Sequence, residues 1–237
     1  MHFRRTLHPQ SMIKYLFLIL FIEVNVLCSS QVQEFNMSFK MVYAGEEILS
    51  KEKITIEGDN WIAFNKIKFY VGNFNFTQKA SSVGNYQNTY YLIDQSDSST
   101  LEMKFELLSP ADSICFLIGT DSVSNVSGLY DGALDPLNGM YWAWNSGYIN
   151  TKIEGISSIV KSPDKKFEYH IGGYLPPNTT SSQICLTPKS QQLNFQIDLS
   201  KVILSDLLIE SPSITIPGEK SSLFANSFKN AITLIEP

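Results

Sequence analysis

The chain has 237 residues, 43% of them apolar and 17% charged, enough to fill a core and to exclude a largely disordered protein. Its formal charge is −5 with no basic block, which excludes a nucleic-acid binder, because displacing counterions from phosphates needs clustered Lys and Arg. Three histidines and three cysteines leave room, at first sight, for an ordinary metal site.

Residues Tyr15 to Ile22 read YLFLILFI, preceded by Arg4, Arg5 and Lys14 and followed by Cys28-Ser29-Ser30. A positive stretch, a short apolar run and small residues after it predict a secretion signal over residues 1–30, with Met12 as an alternative start. The run is too short to span a bilayer. Two exits are open: cleavage after Ser30 into the periplasm or envelope space, or lipidation at Cys28, where the bulky Leu27 fits the lipoprotein pattern less well. Removing residues 1–30 leaves 15 basic against 22 acidic residues, a charge of −7. It also removes His2 and His8, so His170 is the one histidine left. A zinc site of two or three imidazoles and HExxH-type hydrolysis are excluded within one chain.

Residues 31–237 read as a single domain. In EFNMSFKMVY, Phe35, Met37, Phe39, Met41 and Tyr43 alternate with other residues, the period of a half-buried strand. ITIEG, WIAFNKIKFYVGNFNF (61–76) and TYYLID follow as strands, with KASSVGN as a turn. Further strands are predicted in TLEMKFEL, SICFLIG, SGYINTKIEG, KFEYHIGG, SSQICLT and LNFQIDL. Helical periodicity is confined to VILSDLLIE (202–210) and LFANSFKNAI (223–232). The pattern predicts an all-β, antiparallel sandwich-like domain with a short C-terminal helix.

One segment breaks the pattern. Residues 119–146 are long, polar and turn-rich, with Asp121, Asn125, Asp131, Asp135 and Asn138 beside Tyr141, Trp142 and Trp144. Such a loop is functional or a misread element. Two readings of its Asp and Asn residues stay open: a Ca²⁺ cradle through Asp121, Asn125, Asp131 and Asp135, without EF-hand spacing, or Asx turns that serve the loop's own backbone. Cys115 and Cys185 lie in strand-like segments and either pair, as an oxidising compartment permits, or pack as free thiols. No GxSxG, phosphate loop or dinucleotide fingerprint occurs, and the sequence supplies no case for an enzyme.

The run FLIGTDSVSNVSGLYDGALDPLNGMYWAWNSGYINTKIEG (116–155), with FEYHIGG (167–173) after it, resembles the signature of the MbnP family, exported proteins related to the copper protein encoded with methanobactin uptake genes. NKIKFYVGNFNF, TYYLID and FANSFKN are similar to further family blocks, so the resemblance covers most of residues 33–235. It implies an exported β-sandwich-like domain. It also implies a tryptophan oxidised to kynurenine by a partner dihaem peroxidase-like protein of the MbnH type, and copper bound through that residue and histidine. Trp142 and Trp144 fall in the matching motif, His170 matches the family histidine, and Tyr91 stands where many members have His. Copper(I) prefers soft sulfur or imidazole donors, so copper is expected here only with an additional or unusual ligand. The alternative is an envelope interaction module on the same fold, binding a protein or a glycan through the aromatic loop without metal.

Overall fold

The computed structural model describes residues 32–127, 130–145 and 147–235; the leader lies outside the described residues. From Gln33 onward the chain forms one unit. Alternation places Phe35, Met37, Phe39 and Met41 of β1 (Gln33–Tyr43) on one buried face, each at most 3% exposed. Burying each such side chain contributes about 1.5–3 kcal/mol. β1 is paired by β2 (Glu46–Glu47) and, further on in the chain, by β6 (Glu102–Leu107) and β12 (Gln192–Asp198).

The second, larger sheet is organised by β4 (Trp61–Gln78), which β3 (Lys53–Thr55) and β5 (Ser81–Asp94) flank. Along its length β4 changes neighbours. Its Val71–Thr77 part pairs with β7 (Ser113–Ile118), and its Ile62–Phe69 part with β9 (Gly147–Ser157), with register shifts between Phe64 and Lys66 and between Gly72 and Asn75. These bulges bend the strand. β10 (Lys166–Gly172) adds to β9, and β11 (Ser182–Leu186) forms an edge beside β7.

The sheets are not wholly antiparallel as the sequence pattern predicts. β1 and β12 run parallel, as do β10 and the two-residue β13 (Ser213–Ile214). The long excursion through the larger sheet brings the chain back beside β1 in the same direction, a connection no hairpin can make. The predicted turn KASSVGN is shorter than its composition suggests. Lys79 and Ala80 alone make it, both with positive φ, and β5 already begins at Ser81.

Between the sheets lies an aromatic-rich core. Phe74 touches the rings of Phe76, Tyr91, Phe105 and Phe116 at centroid distances of 4.7–6.4 Å. Of the two helical stretches, VILSDLLIE forms only α2 (Ser205–Glu210), following α1 (Ser122–Val126) in chain order. The second becomes α3 (Glu219–Ala231), which closes one side of the core through Phe224 on Tyr169 and Phe228 on Phe69. Its end turns directly into β14 (Ile232–Ile235), an edge strand on β12.

Cys115 and Cys185 are direct cross-strand partners on β7 and β11 and form a disulfide. It staples the edge strand to the sheet. Among the described residues no helix is long and apolar enough to cross a membrane.

Candidate functional site

Period-two alternation that sends Ile67, Phe69, Ile153, Tyr169 and Ile171 into the core sends their neighbours to the outer face of the larger sheet. There the strand registers line up a charged row: Asp94 of β5, Lys68 of β4, Lys152 of β9 and His170 of β10. The next row holds Lys66, Glu154 and Glu168. Lys68 pairs with Asp94 at 2.8 Å, and Glu154 collects Lys66 at 3.0 Å, Lys152 at 3.6 Å and His170 at 2.9 Å. Opposed like charges at Lys68 and Lys152 would repel. Here each has its own oxygen partner, because Lys152 Nζ also donates to the Gly139 carbonyl at 2.8 Å.

Beside these rows the same face is apolar. Tyr70, Tyr90, Leu134, Met140, Trp142, Tyr148 and Ile149 form a second, smaller cluster. The described residues of the 119–146 segment supply its roof through Leu134, Met140 and Trp142, and they are not a bare loop: they form α1, two 3₁₀ turns (Gly132–Leu134 and Pro136–Asn138) and the two-residue β8 (Tyr141–Trp142). β8 pairs with the start of β9, setting Trp142 opposite Gly147. The Trp142 ring then lies on Gly172 of β10: a Cβ there would meet the ring at 2.7 and 3.0 Å and also the Tyr148 carbonyl. Glycine at 172 is the bed of the tryptophan. Trp142 is 5% exposed, while Trp144, at a ring distance of 5.6 Å, is 64% exposed.

Asp121, Asn125, Asp135 and Asn138 are engaged in hydrogen bonds that hold the segment to itself and to the sheet. Asp121 caps α1, accepting from Ser124 N at 2.7 Å, and also accepts from Asn73 Nδ2 at 2.8 Å. Asn125 Oδ1 accepts from Tyr148 N at 2.8 Å, and its Nδ2 donates to Thr120 Oγ1 and to the Asp121 carbonyl. Asp135 accepts from Leu137 N, and Asn138 Nδ2 donates to the Gly132 and Ala133 carbonyls. Asp131 precedes the first 3₁₀ turn without a capping bond. This is the Asx-turn arrangement. Among the described residues no group of three His, Cys, Asp or Glu side chains is placed to hold a metal ion.

The Trp142 ring and His170 share the outer face of β10, the ring over Gly172 and the imidazole two positions earlier. The His170 side chain is 18% exposed. Its Nε2 is tied to Glu154, which leaves Nδ1 as the free ring nitrogen. A ligating histidine is normally held this way, one nitrogen on a carboxylate and the other on the metal. Burial pulls the imidazole pKa below its ordinary value, and Lys152 adds to this against the opposing pull of Glu154, so the ring is held neutral. Burial would raise the Glu154 carboxyl, but hydrogen bonds from Lys66 and His170 outweigh it and hold the group ionised below the usual range. Burial likewise depresses Lys152.

Tyr91 does not join them. It pairs with Val71 and packs on Phe74 and Phe105, facing the inter-sheet core, whereas its neighbours Tyr90 and Leu92 face the outer cluster. Met140 is fully buried in the same cluster as Trp142. Sequence reasoning missed Glu154, Lys152 and Gly172. Glu154 and Lys152 are outward positions of TKIEG, and only the strand register reveals what they touch.

Fold and face together define a class: a mixed β-sandwich with a tryptophan-bearing lid and a carboxylate-held histidine on the outside of its larger sheet. The MbnP family model matches residues 32–221, and the chain belongs to the MbnP family. The solved structure of MbnP from Methylosinus trichosporium is similar in fold, with a TM-score of 0.52 at 15% identity, over 73% of this chain and 78% of that one. No curated protein is significantly similar to the chain.

Proposed function

We propose that this MbnP-family protein is an exported, non-enzymatic copper-handling protein whose Trp142 is oxidised to kynurenine by a dihaem peroxidase-like partner. The observation that carries the reading is the Trp142 ring of β8 lying over Gly172, two positions along β10 from His170, whose own ring is held by Glu154. The unmodified chain offers copper a single imidazole; the second donor has to come from the modified tryptophan, since an indole carries no free nitrogen lone pair. Hydrogen peroxide, reduced to water at the partner's haems, is the oxidant: two peroxides open the indole C2–C3 bond, leave two oxygens on the product as N-formylkynurenine and release two waters. Hydrolysis of the formyl group by one water then releases formate and leaves an aromatic amine and a ketone. Trp144, exposed and in ring contact with Trp142, suits the first contact with such an oxidant. Met140 would add only a soft thioether in the same cluster.

Mass spectrometry of the protein made with and without its dihaem partner tests the modification, and copper titration tests its consequence. Kynurenine at 142 with the partner, and copper binding that needs it and is lost in His170→Ala, are expected. Unmodified tryptophan in the partner's presence, or copper binding indifferent to His170, would sink the reading. The 64% exposure of Trp144 favours a second reading, a surface recognition module on the same fold.

A further inference from the structure

We infer that the cavity walled by Asn145, Tyr174 and Asn178 is a saccharide-binding site, which deepens the recognition reading and does not depend on copper. The cavity has a volume of 260 Å³ and is walled by Asn145, Gly173, Tyr174, Pro176, Asn178 and Pro217. It is smaller than the roughly 300–1,000 Å³ of pockets that enclose a drug-sized ligand, so it suits one unit of a longer chain that continues over the surface.

The wall is built in advance. Gly173 has φ +135°, and the Asn178 carbonyl lies 2.9 Å from where a Cβ at 173 would stand, so only glycine makes this turn. Thr180, 3% exposed, donates to the Gly173 carbonyl through both its N–H (2.9 Å) and its hydroxyl (3.1 Å). Asn178 N closes onto the Leu175 carbonyl at 3.1 Å. The Tyr174 ring rests 3.6 Å from the position of a Gly147 Cβ, which ties the wall to the tryptophan lid. Such a site loses little entropy on binding.

Its chemistry is neutral and two-sided. No carboxylate or cationic side chain lines the cavity. The side-chain amides of Asn145 and Asn178 and the Tyr174 hydroxyl have no partner among the described residues. Each amide donates and accepts, as a phenol does, and that matches sugar hydroxyls, which do both. Tyr174 supplies the ring on the cavity wall for the C–H face of a pyranose, and the exposed Trp144 is the chain neighbour of the wall residue Asn145. A proline-rich peptide fits the rings but not the polar groups. Its prolines carry no N–H, so the Asn145 and Asn178 oxygens would be left short of donors.

The test uses the full chain titrated with cellohexaose, maltohexaose and chitohexaose, followed by calorimetry and tryptophan fluorescence. Saturable binding of one of them is expected, with a fluorescence change. Affinity should be about tenfold weaker or worse in Tyr174→Ala and in Asn178→Ala, the loss of one good contact each. Both positions lie outside the core, and an unchanged thermal midpoint confirms that the variants fold. Absence of binding at millimolar saccharide, equal affinity in both variants, or binding of poly-L-proline in place of the sugars overturns the inference. Copper titration of Asn178→Ala separates the two readings, because a failed saccharide site leaves the His170 and Trp142 result untouched.

Discussion

Among the described residues two hydrophobic clusters lie on opposite faces of the same sheet, and they are built by different rules. The inter-sheet core is filled by side chains that strand alternation delivers without help: Phe74 meets Phe76, Phe105 and Phe116 ring to ring, and Phe69 meets Phe39 and Phe228. The outer cluster of Tyr70, Tyr90, Met140, Trp142 and Tyr148 exists only because the 119–146 segment lies over it, and its members carry polar atoms that need partners. Tyr148 Oη donates to the Leu134 carbonyl at 3.1 Å, and Ser124 Oγ donates to Tyr90 Oη at 3.0 Å. One cluster holds the fold; the other holds the lid. A residue in the first should therefore govern global stability, and one in the second should govern the environment of Trp142.

The largest break is in the first. Phe74→Ala removes a ring that touches four others at 0% exposure, and should cost about 3–5 kcal/mol in urea unfolding. A cost below about 1 kcal/mol would mean the core closes around the gap and is not the keystone described. In the lid, Asn125→Ala strips the acceptor from the buried Tyr148 N–H and the donor from Thr120 Oγ1. A cost of about 1–3 kcal/mol is expected for the unpaired groups, with increased hydrogen exchange confined to α1, β8 and the start of β9. Exchange that spreads evenly through β1 and β12 would deny the lid its separate status.

Gly172→Ala acts between the two regions. The added methyl meets the Trp142 ring and the Tyr148 carbonyl, so the ring has to leave its bed. About 1–3 kcal/mol of strain is expected, together with a red-shifted tryptophan emission as Trp142 gains water. Copper binding by the modified protein should fall with it, since the ring moves away from the His170 position. An unshifted spectrum would place Trp142 elsewhere.

The same contrast separates what the sequence makes legible from what it does not. β1, β6, β7 and β12 are readable because one face is buried and the period of two is clean, as in EFNMSFKMVY. Tyr70 and Tyr148 break the rule: they occupy outward positions where alternation predicts polar groups, and only the lid explains them. The disulfide is half legible. Sequence supplies two strand cysteines, whereas the pairing of β7 with β11 makes them neighbours. β14 was unreadable because ITLI continues the α3 pattern without a breaker, and β12's free edge decides its conformation. Glu154 looks like any polar residue of a solvated strand until register sets it opposite Lys66 and next to His170.

The smallest expected effect is a pH dependence of the lid. Burial opposes ionisation of Asp121, but bonds from Ser124, Asn73 and Tyr90 outweigh it and hold its pKa below the ordinary carboxylate value. A depressed native pKa means that the unfolded chain binds the proton more readily, so stability falls as pH falls. The contribution is complete above the unfolded value of about 3.9 and disappears as pH drops through the lower native one. Asp121→Asn keeps an oxygen to cap α1 but removes the charge. Urea midpoints should therefore separate wild type from the variant at pH 5–7 and converge in stronger acid, with wild type the more stable above the crossing. A gap that persists unchanged to the lowest pH would show that Asp121 caps α1 by geometry alone, and that its charge contributes nothing to keeping the tryptophan lid on the sheet.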